Sequence, residues 1–158
     1  MKLLIVSDIH GKFEKFYNIC ILEKPDAILF LGDGMKDAKD VEYIFSDIEF
    51  FMVRGNCDYF DCDLQDEMII EIEGMRFLLT HGHMYGVKRN YSDIIKKGID
   101  ENIDIVLFGH THTPDYVSID EDYKKIILFN PGAVLNNFYG IIELEKNKKI
   151  KFLHKRLD

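Results

Sequence analysis

Two histidines stand two residues apart in Gly109-His110-Thr111-His112, after the apolar run Ile103 to Phe108 and before Thr113-Pro114. In an extended chain that spacing turns both imidazoles to one side, a pincer suited to a metal ion. A single His-x-His is weak evidence, because a histidine is ordinarily packed or solvated. Its company strengthens it. Leu3 to Ser7 runs into Asp8-Ile9-His10, and Ala27 to Leu31 runs into Gly32-Asp33-Gly34. Phe50 to Val53 leads toward Asn56, and Arg76 to Leu79 toward His81. Five strand-like runs thus end near side chains of metal-binding type.

Asp8, His10, Asp33, Asn56, His81, His110 and His112 form a mixed oxygen and nitrogen set. Such a set suits manganese, iron or zinc; magnesium or calcium would call for oxygen alone, and a soft ion for thiolate. Seven ligands exceed what one open catalytic ion needs. They suit two ions if a carboxylate bridges, and Asp33, between Gly32 and Gly34 in a tight turn, is the candidate bridge. Two divalent ions against Asp8 and Asp33 leave two positive charges, which a bridging hydroxide and a phosphodiester monoanion would cancel. A shared water with a lowered pKa and a clamp on the attacking and leaving oxygens follow when two ions sit about 3.5–4 Å apart. The chemistry indicated is metal-assisted phosphoester hydrolysis.

The elements that must position these residues follow from periodicity. Lys12 to Lys24 has Phe13, Phe16, Tyr17, Ile19, Cys20 and Leu22 at helical spacing, and Pro25 stops it. Asp37 to Ser46 predicts a shorter helix with Val41, Ile44 and Phe45 inward, followed by a strand over Ile48 to Val53. Two strand-helix-strand crossovers imply parallel strands with the ligand loops at one edge. Arg54 to Gln65 reads as an ordered loop, and Glu67 to Thr80 as a hairpin about Gly74. Asn90 can cap a helix over Tyr91 to Asn102, with Ile94, Ile95 and Ile99 on one side. Tyr116 to Asp120, Lys124 to Phe129, Gly140 to Leu144 and Lys149 to Leu153 read as strands, joined by turns such as Asp120-Glu121-Asp122 and Glu145-Lys146-Asn147. With no helix between them, they predict a second, mostly antiparallel sheet.

Composition bounds the function. At 158 residues, 47% hydrophobic and 30% charged, the chain fits one soluble domain over 1–158. No apolar stretch approaches a membrane span, and Leu3 to Val6 is too short for a signal-peptide core, so a cytoplasmic protein is expected. Cys20, Cys57 and Cys62 lack zinc-ligand spacing and predict reduced thiols. A net charge of -8 disfavours an extended nucleic-acid surface but leaves room for a small phosphate substrate beside bound cations. A homo-oligomer stays open.

Taken together, Asp8-x-His10, Gly32-Asp33, Gly55-Asn56, His81-Gly82-His83 and Gly109-His110-x-His112 resemble the signature of the calcineurin-like metallophosphoesterase superfamily. More narrowly, Gly55-Asn56-Cys57-Asp58, the run His81 to Lys88 and Asn130-Pro131-Gly132 resemble the YfcE-type small phosphodiesterases. The resemblance implies an α/β fold: a four-layer αββα sandwich of two mixed sheets, with a dinuclear site at the sheet edge. It implies one ion held by Asp8, His10, Asp33 and His112 and a second by Asp33, Asn56, His81 and His110. The activity implied is manganese- or nickel-stimulated hydrolysis of small phosphodiesters, with iron or zinc as further candidate ions. It also covers a phosphoesterase-like scaffold subunit of the retromer coat, which uses its surface for partners. The seven filled ligand positions favour the enzyme; a phosphomonoesterase is the nearer alternative.

Two departures from the family pattern bear on substrate. Cys57 stands where many relatives carry a histidine suited to protonating a leaving group; it would limit turnover to good leaving groups, or serve as a small buried hydrophobe. Ala133 to Asn137 replaces a serine and a Pro-Arg pair, in a loop that shapes substrate choice. Asp58 either orients a ligand imidazole or pairs with Arg54. His83 either touches the phosphate as a general acid or is a turn residue. Lys88 and Arg89 read as solvated, His154 as unconnected to the site, and the Tyr and Phe side chains as core rather than a stacking platform.

Overall fold

The computed structural model describes residues 1–60, 63–121, 124–145 and 149–158. Cys62 and parts of two predicted turns, Asp122 and Lys146-Asn147, lie outside the described residues. The first half alternates as expected: β1 (Lys2–Val6), α1 (Phe13–Glu23), β2 (Ala27–Phe30), α2 (Met35–Ile44), β3 (Glu49–Met52). Then come the hairpin β4 (Glu67–Ile72) and β5 (Met75–Thr80), α3 (Ser92–Asp100) and β6 (Ile105–Leu107). The chain finishes with β7 (Pro114–Glu121), β8 (Lys124–Pro131), β9 (Phe138–Leu144) and β10 (Ile150–Arg156).

Among the described residues these strands form two five-stranded sheets, ordered β10-β9-β1-β2-β3 and β4-β5-β6-β8-β7. In the first, β1, β2 and β3 are parallel while β9 and β10 are antiparallel. In the second, β5, β6 and β8 are parallel, with antiparallel strands at both edges. This corrects the expectation that the last four strands share one antiparallel sheet. Tyr116 to Asp120 and Lys124 to Phe129 do pair, but β9 crosses to lie against β1. Leu3, Leu4 and Ile5 are buried on both faces of β1, so its hydrogen-bonding edge needs a covered partner, and apolar Ile141 and Ile142 supply one.

Period-two alternation sorts the apolar side chains into three cores. Leu3, Ile5, Leu29, Phe77, Leu79, Leu107 and Phe129 fill the space between the sheets. Leu4, Val6, Ile28 and Phe30 face Phe16, Ile19, Cys20, Ala38 and Val41 of α1 and α2. Leu78, Val106 and Leu128 face Ile94 of α3. The result is four layers, helices outside two mixed sheets, as the family resemblance implied. Periodicity misplaced details: α2 starts and ends two residues early, and Leu22 and Ile44 point to solvent. α3 is shorter than predicted and its N-cap is Tyr91, not Asn90, which instead accepts a hydrogen bond from Ser92 N at 2.9 Å from one residue earlier; Ile99, expected inward, is partly exposed. Among the described residues, no helix is long and apolar enough to cross a membrane.

Candidate metal centre

Strands β1, β2, β5 and β6 all end at one edge, and the loops leaving them carry six of the seven predicted ligands. Asp8, His10, Asp33, His110 and His112 have φ of 55°, 47°, 62°, 68° and 61°. A side chain in the left-handed region costs of order 1–3 kcal/mol, so the surroundings must over-determine it. They do: Asp8 N bonds Gly32 O at 2.9 Å, Ile9 N bonds Asp33 O at 2.8 Å, and Gly109 N bonds His81 O at 3.2 Å. The His-x-His segment is therefore a bent loop rather than an extended strand end, and the predicted pincer is corrected accordingly. His110 and His112 turn to different neighbours.

His112 Nε2 is 3.1 Å from Asp8 Oδ1, and His10 Nε2 is 3.7 Å from the same oxygen. His110 Nδ1 instead lies 3.2 Å from His81 Nε2. Between the two groups stands Asp33, whose Oδ2 is 3.8 Å from His10 Nε2 and 3.4 Å from His81 Nε2. Its other oxygen accepts the Cys57 N–H at 2.8 Å, which leaves Oδ2 aimed at both imidazoles.

Among the described residues, Asp8 Oδ1 and Asn56 Oδ1 are buried without a hydrogen-bond partner. A buried carboxylate oxygen so left would cost several kcal/mol unless a cation met it. His81 Nδ1 sits 2.7 Å from Leu31 O and so donates to it, which turns Nε2 toward Asp33 and His110; in the metal-free protein that nitrogen donates to Asp33, and it would give up the proton to hold an ion. Asp8 Oδ2 is occupied by the His110 N–H at 3.1 Å. The donor set and its orphaned oxygens fit divalent ions. Charge follows the same geometry. Burial opposes ionisation of Asp33, but the His81 hydrogen bond and charge, with the Cys57 N–H, hold the carboxyl well below its usual range. Burial, then the His81 and Lys88 charges, push His110 down to about 4, so its imidazole is neutral near pH 7 and available as a ligand.

The calcineurin-like phosphoesterase superfamily domain matches residues 1–146. The chain belongs to that superfamily. Among its relatives is the probable metallophosphoesterase YsnB of Bacillus subtilis, 27% identical over 154 residues that cover 93% of this chain and 86% of the relative. A second, the phosphodiesterase MJ0936 of Methanocaldococcus jannaschii, is 27% identical over 157 residues, covering 89% of each. A structure of Vps29 with zinc from Entamoeba histolytica has the same fold at 16% identity, with a TM-score of 0.73 and 99% of each chain covered. The protein is a metallophosphoesterase, a metal-binding hydrolase of phosphoric esters.

In this metallophosphoesterase the supporting residues differ from expectation. Asp58 neither orients an imidazole nor pairs with Arg54, which bonds Asp66 at 2.6 and 3.0 Å. Instead its Oδ2 accepts Asp33 N and Gly55 N, both at 2.8 Å, and its Oδ1 accepts Gly34 N and Met35 N at 3.0 Å. One buried carboxylate thus clamps the Asp33 turn, the start of α2 and the Asn56 loop. Gly55 is required there, because a Cβ would collide with Asp33 Oδ1. Asn130 was noted only as part of a motif, yet its buried amide donates to Gly109 O at 2.9 Å and Thr111 Oγ1 at 3.0 Å, fixing the histidine loop to β8. His154, read as unconnected, backs it up: Nε2 is 2.8 Å from Asn130 O and the ring stacks on Phe129 at 4.5 Å. Such roles have no sequence spacing to betray them.

His83 lies beside the histidine cluster, 5.5 Å from the His81 ring and 6.1 Å from that of His110. Its Nδ1 is buried and unpartnered, and burial with the His81 charge lowers its pKa. Cys57 is exposed rather than a buried hydrophobe. It lines an open cleft of about 600 Å³ with His10, Lys36, Asp37, Tyr59 and Phe60.

Proposed function

We propose that this metallophosphoesterase is a dinuclear phosphodiesterase of small phosphodiesters, the protein folding as one domain and working in the cytoplasm. Asp33 carries the reading: one carboxylate oxygen faces His10 on one side and His81 on the other. Asp8, His10, Asp33 and His112 would hold one ion, and Asp33, Asn56, His81 and His110 the other, manganese being favoured by the mixed oxygen and imidazole donors. When bound, two such ions lower the pKa of a shared water and stabilise the charge that develops on the phosphoryl oxygens.

The chain's own residues do the rest. Leu31 O fixes the His81 tautomer, and Asp58 and Asn130 hold the ligand loops at set positions, so little reorganisation is needed as charge moves. His83 lines a cleft beside Asn56 and is the group suited to contact a phosphoryl oxygen or, when protonated, to hand a proton to the leaving oxygen. The thiol of Cys57 borders the cleft beside His10. Lacking an imidazole's ready proton, it favours esters whose alcohols leave as stable anions. The name of the relative MJ0936, a phosphodiesterase, agrees with a diester rather than a monoester.

A non-catalytic scaffold with a phosphoesterase-like fold, the other role that the family resemblance covers, is the second reading; the fold shared with Vps29 is compatible with either. The decisive experiment strips the protein with a chelator, adds back each metal, and compares bis-p-nitrophenyl phosphate with p-nitrophenyl phosphate while metal content is measured. Two ions per chain and manganese-restored diester turnover above monoester turnover are expected. Folded protein that binds metal and turns over neither ester belongs to the scaffold reading.

A further inference from the structure

Large aromatic side chains are ordinarily buried, and an exposed pair beside an active site calls for a ligand. Tyr59 is 75% exposed and Phe60 97% exposed. Both line the cleft of about 600 Å³ that also reaches His10 and Cys57. Tyr59 borders a second cleft of about 400 Å³ as well, with Asn56, Asp66 and His83. The two hollows flank the candidate metal ligands, and Tyr59 stands between them. There is open space beside Gly11, which lines the first cleft: a Cβ there would meet nothing within 4 Å.

We infer that Tyr59 and Phe60 form a stacking subsite for the base of a nucleoside esterified to the scissile phosphate, so that nucleotide diesters are the preferred substrate class. The inference rests on the phosphodiesterase reading of the centre. A planar heteroaromatic gains from stacking at an open site, because every base has a π-face and needs no enclosure. An acyl chain would need an apolar groove, whereas this wall carries Lys36, Asp37 and His10. Those polar groups match the edges of a base and its sugar. Asp37 already accepts the Gly11 N–H at 2.9 Å, so the carboxylate is held at the cleft wall. Exposed Lys36 adds positive charge to a chain that is otherwise acidic, on the side where an anionic ester enters.

Two substrates with one leaving group test this: thymidine 5′-p-nitrophenyl phosphate and ethyl p-nitrophenyl phosphate, with the manganese-loaded enzyme. Stacking of a single base predicts a KM about tenfold or more lower for the thymidine ester, with the two kcat values similar. Replacing both aromatics, Tyr59→Ala with Phe60→Ala, should bring the KM ratio close to one, and Tyr59→Phe should preserve it. As a readout independent of turnover, thymidine 5′-monophosphate and methyl phosphate are titrated into the metal-free protein by saturation-transfer NMR. Base protons should show transfer that the double substitution abolishes. Equal KM values with no base transfer would overturn the inference and leave the phosphodiesterase reading standing. If neither ester is turned over, the phosphodiesterase reading fails and nucleotide diesters fall with it as the substrate class; base transfer lost on double substitution would then leave Tyr59 and Phe60 as a base-binding surface alone.

Discussion

Asp33 and Asp58 are two carboxylates in one small volume with opposite duties, and substitution should separate them. Asp33 keeps one oxygen for the two imidazoles, so Asp33→Asn removes a charge that the two proposed metal positions would share. It should lower manganese-dependent diester turnover by more than a hundredfold, roughly the upper end of what a lost supporting partner costs, and more than Asn56→Ala or His112→Ala, when assayed at saturating metal. Wild-type activity in Asp33→Asn at high manganese would refute the bridge. Asp58 spends both oxygens on four backbone N–H groups and should act on stability first. Asp58→Ala leaves those donors buried, at a cost of at least about 3 kcal/mol. Asp58→Asn should be nearly as harmful, because its NH₂ would face N–H groups instead of accepting from them. Urea denaturation of the metal-free variants checks both. The Asp33 turn was legible because Gly-Asp-Gly closes an apolar run; the clamp made by Asp58 was not, because its partners are backbone groups up to 25 residues away.

At the scale of elements, what could be read from sequence was what periodicity encodes. The strands β1, β2, β3, β5 and β6 and the three helices follow from apolar runs and helical spacing, and with them the convergence of the candidate ligands on one edge. Boundaries set by distant groups could not be read. α2 begins at Met35 because Asp58, from another loop, accepts its first N–H groups, and no local cap announces it. The assignment of β9 to the first sheet was equally hidden, since chain order favours pairing with β8 and only the buried edge of β1 requires otherwise. The His-x-His loop is the clearest case. Its residue types were legible, but its bend is set by Asn130, on β8, and by close approach to β1. A Cβ at Gly109 would collide with Ser7 Oγ and lie 2.9 Å from Asp8 Oδ2. Asn130→Ala should therefore release the loop, with a metal affinity about 10- to 100-fold weaker by titration calorimetry. Gly109→Ala should do the same by displacement of Asp8. Unaltered metal affinity in both variants would mean that the loop holds its shape unaided.

Across the whole molecule the metal edge is balanced by a second buried charge cluster that ties together the two ends of the chain. Glu23, at the end of α1, is almost fully buried and bonds Tyr139 Oη at 2.7 Å and Lys155 Nζ at 2.8 Å, with Lys2 Nζ at 3.6 Å. These residues come from β9, β10 and β1, so one carboxylate joins the first strand to the last. Burial alone would raise its pKa, but the Lys155 and Tyr139 hydrogen bonds and the two lysine charges outweigh it and set the folded value below the ordinary one. A carboxyl depressed on folding contributes stability that is present above its unfolded pKa, about 4.3, and is lost as the pH falls through the lower folded value. Glu23→Gln should accordingly destabilise the metal-free protein most at pH 6–7, by about 2 kcal/mol, and the gap from wild type should close below about pH 4. Urea melts at several pH values measure it. A gap independent of pH would assign the loss to packing and hydrogen-bond geometry instead of charge. Because this cluster contributes no ligand to the metal edge, the variant should bind manganese with wild-type affinity wherever it is folded. Its acid sensitivity is thereby separable from that of the proposed centre, where protons would compete with a metal for imidazole ligands.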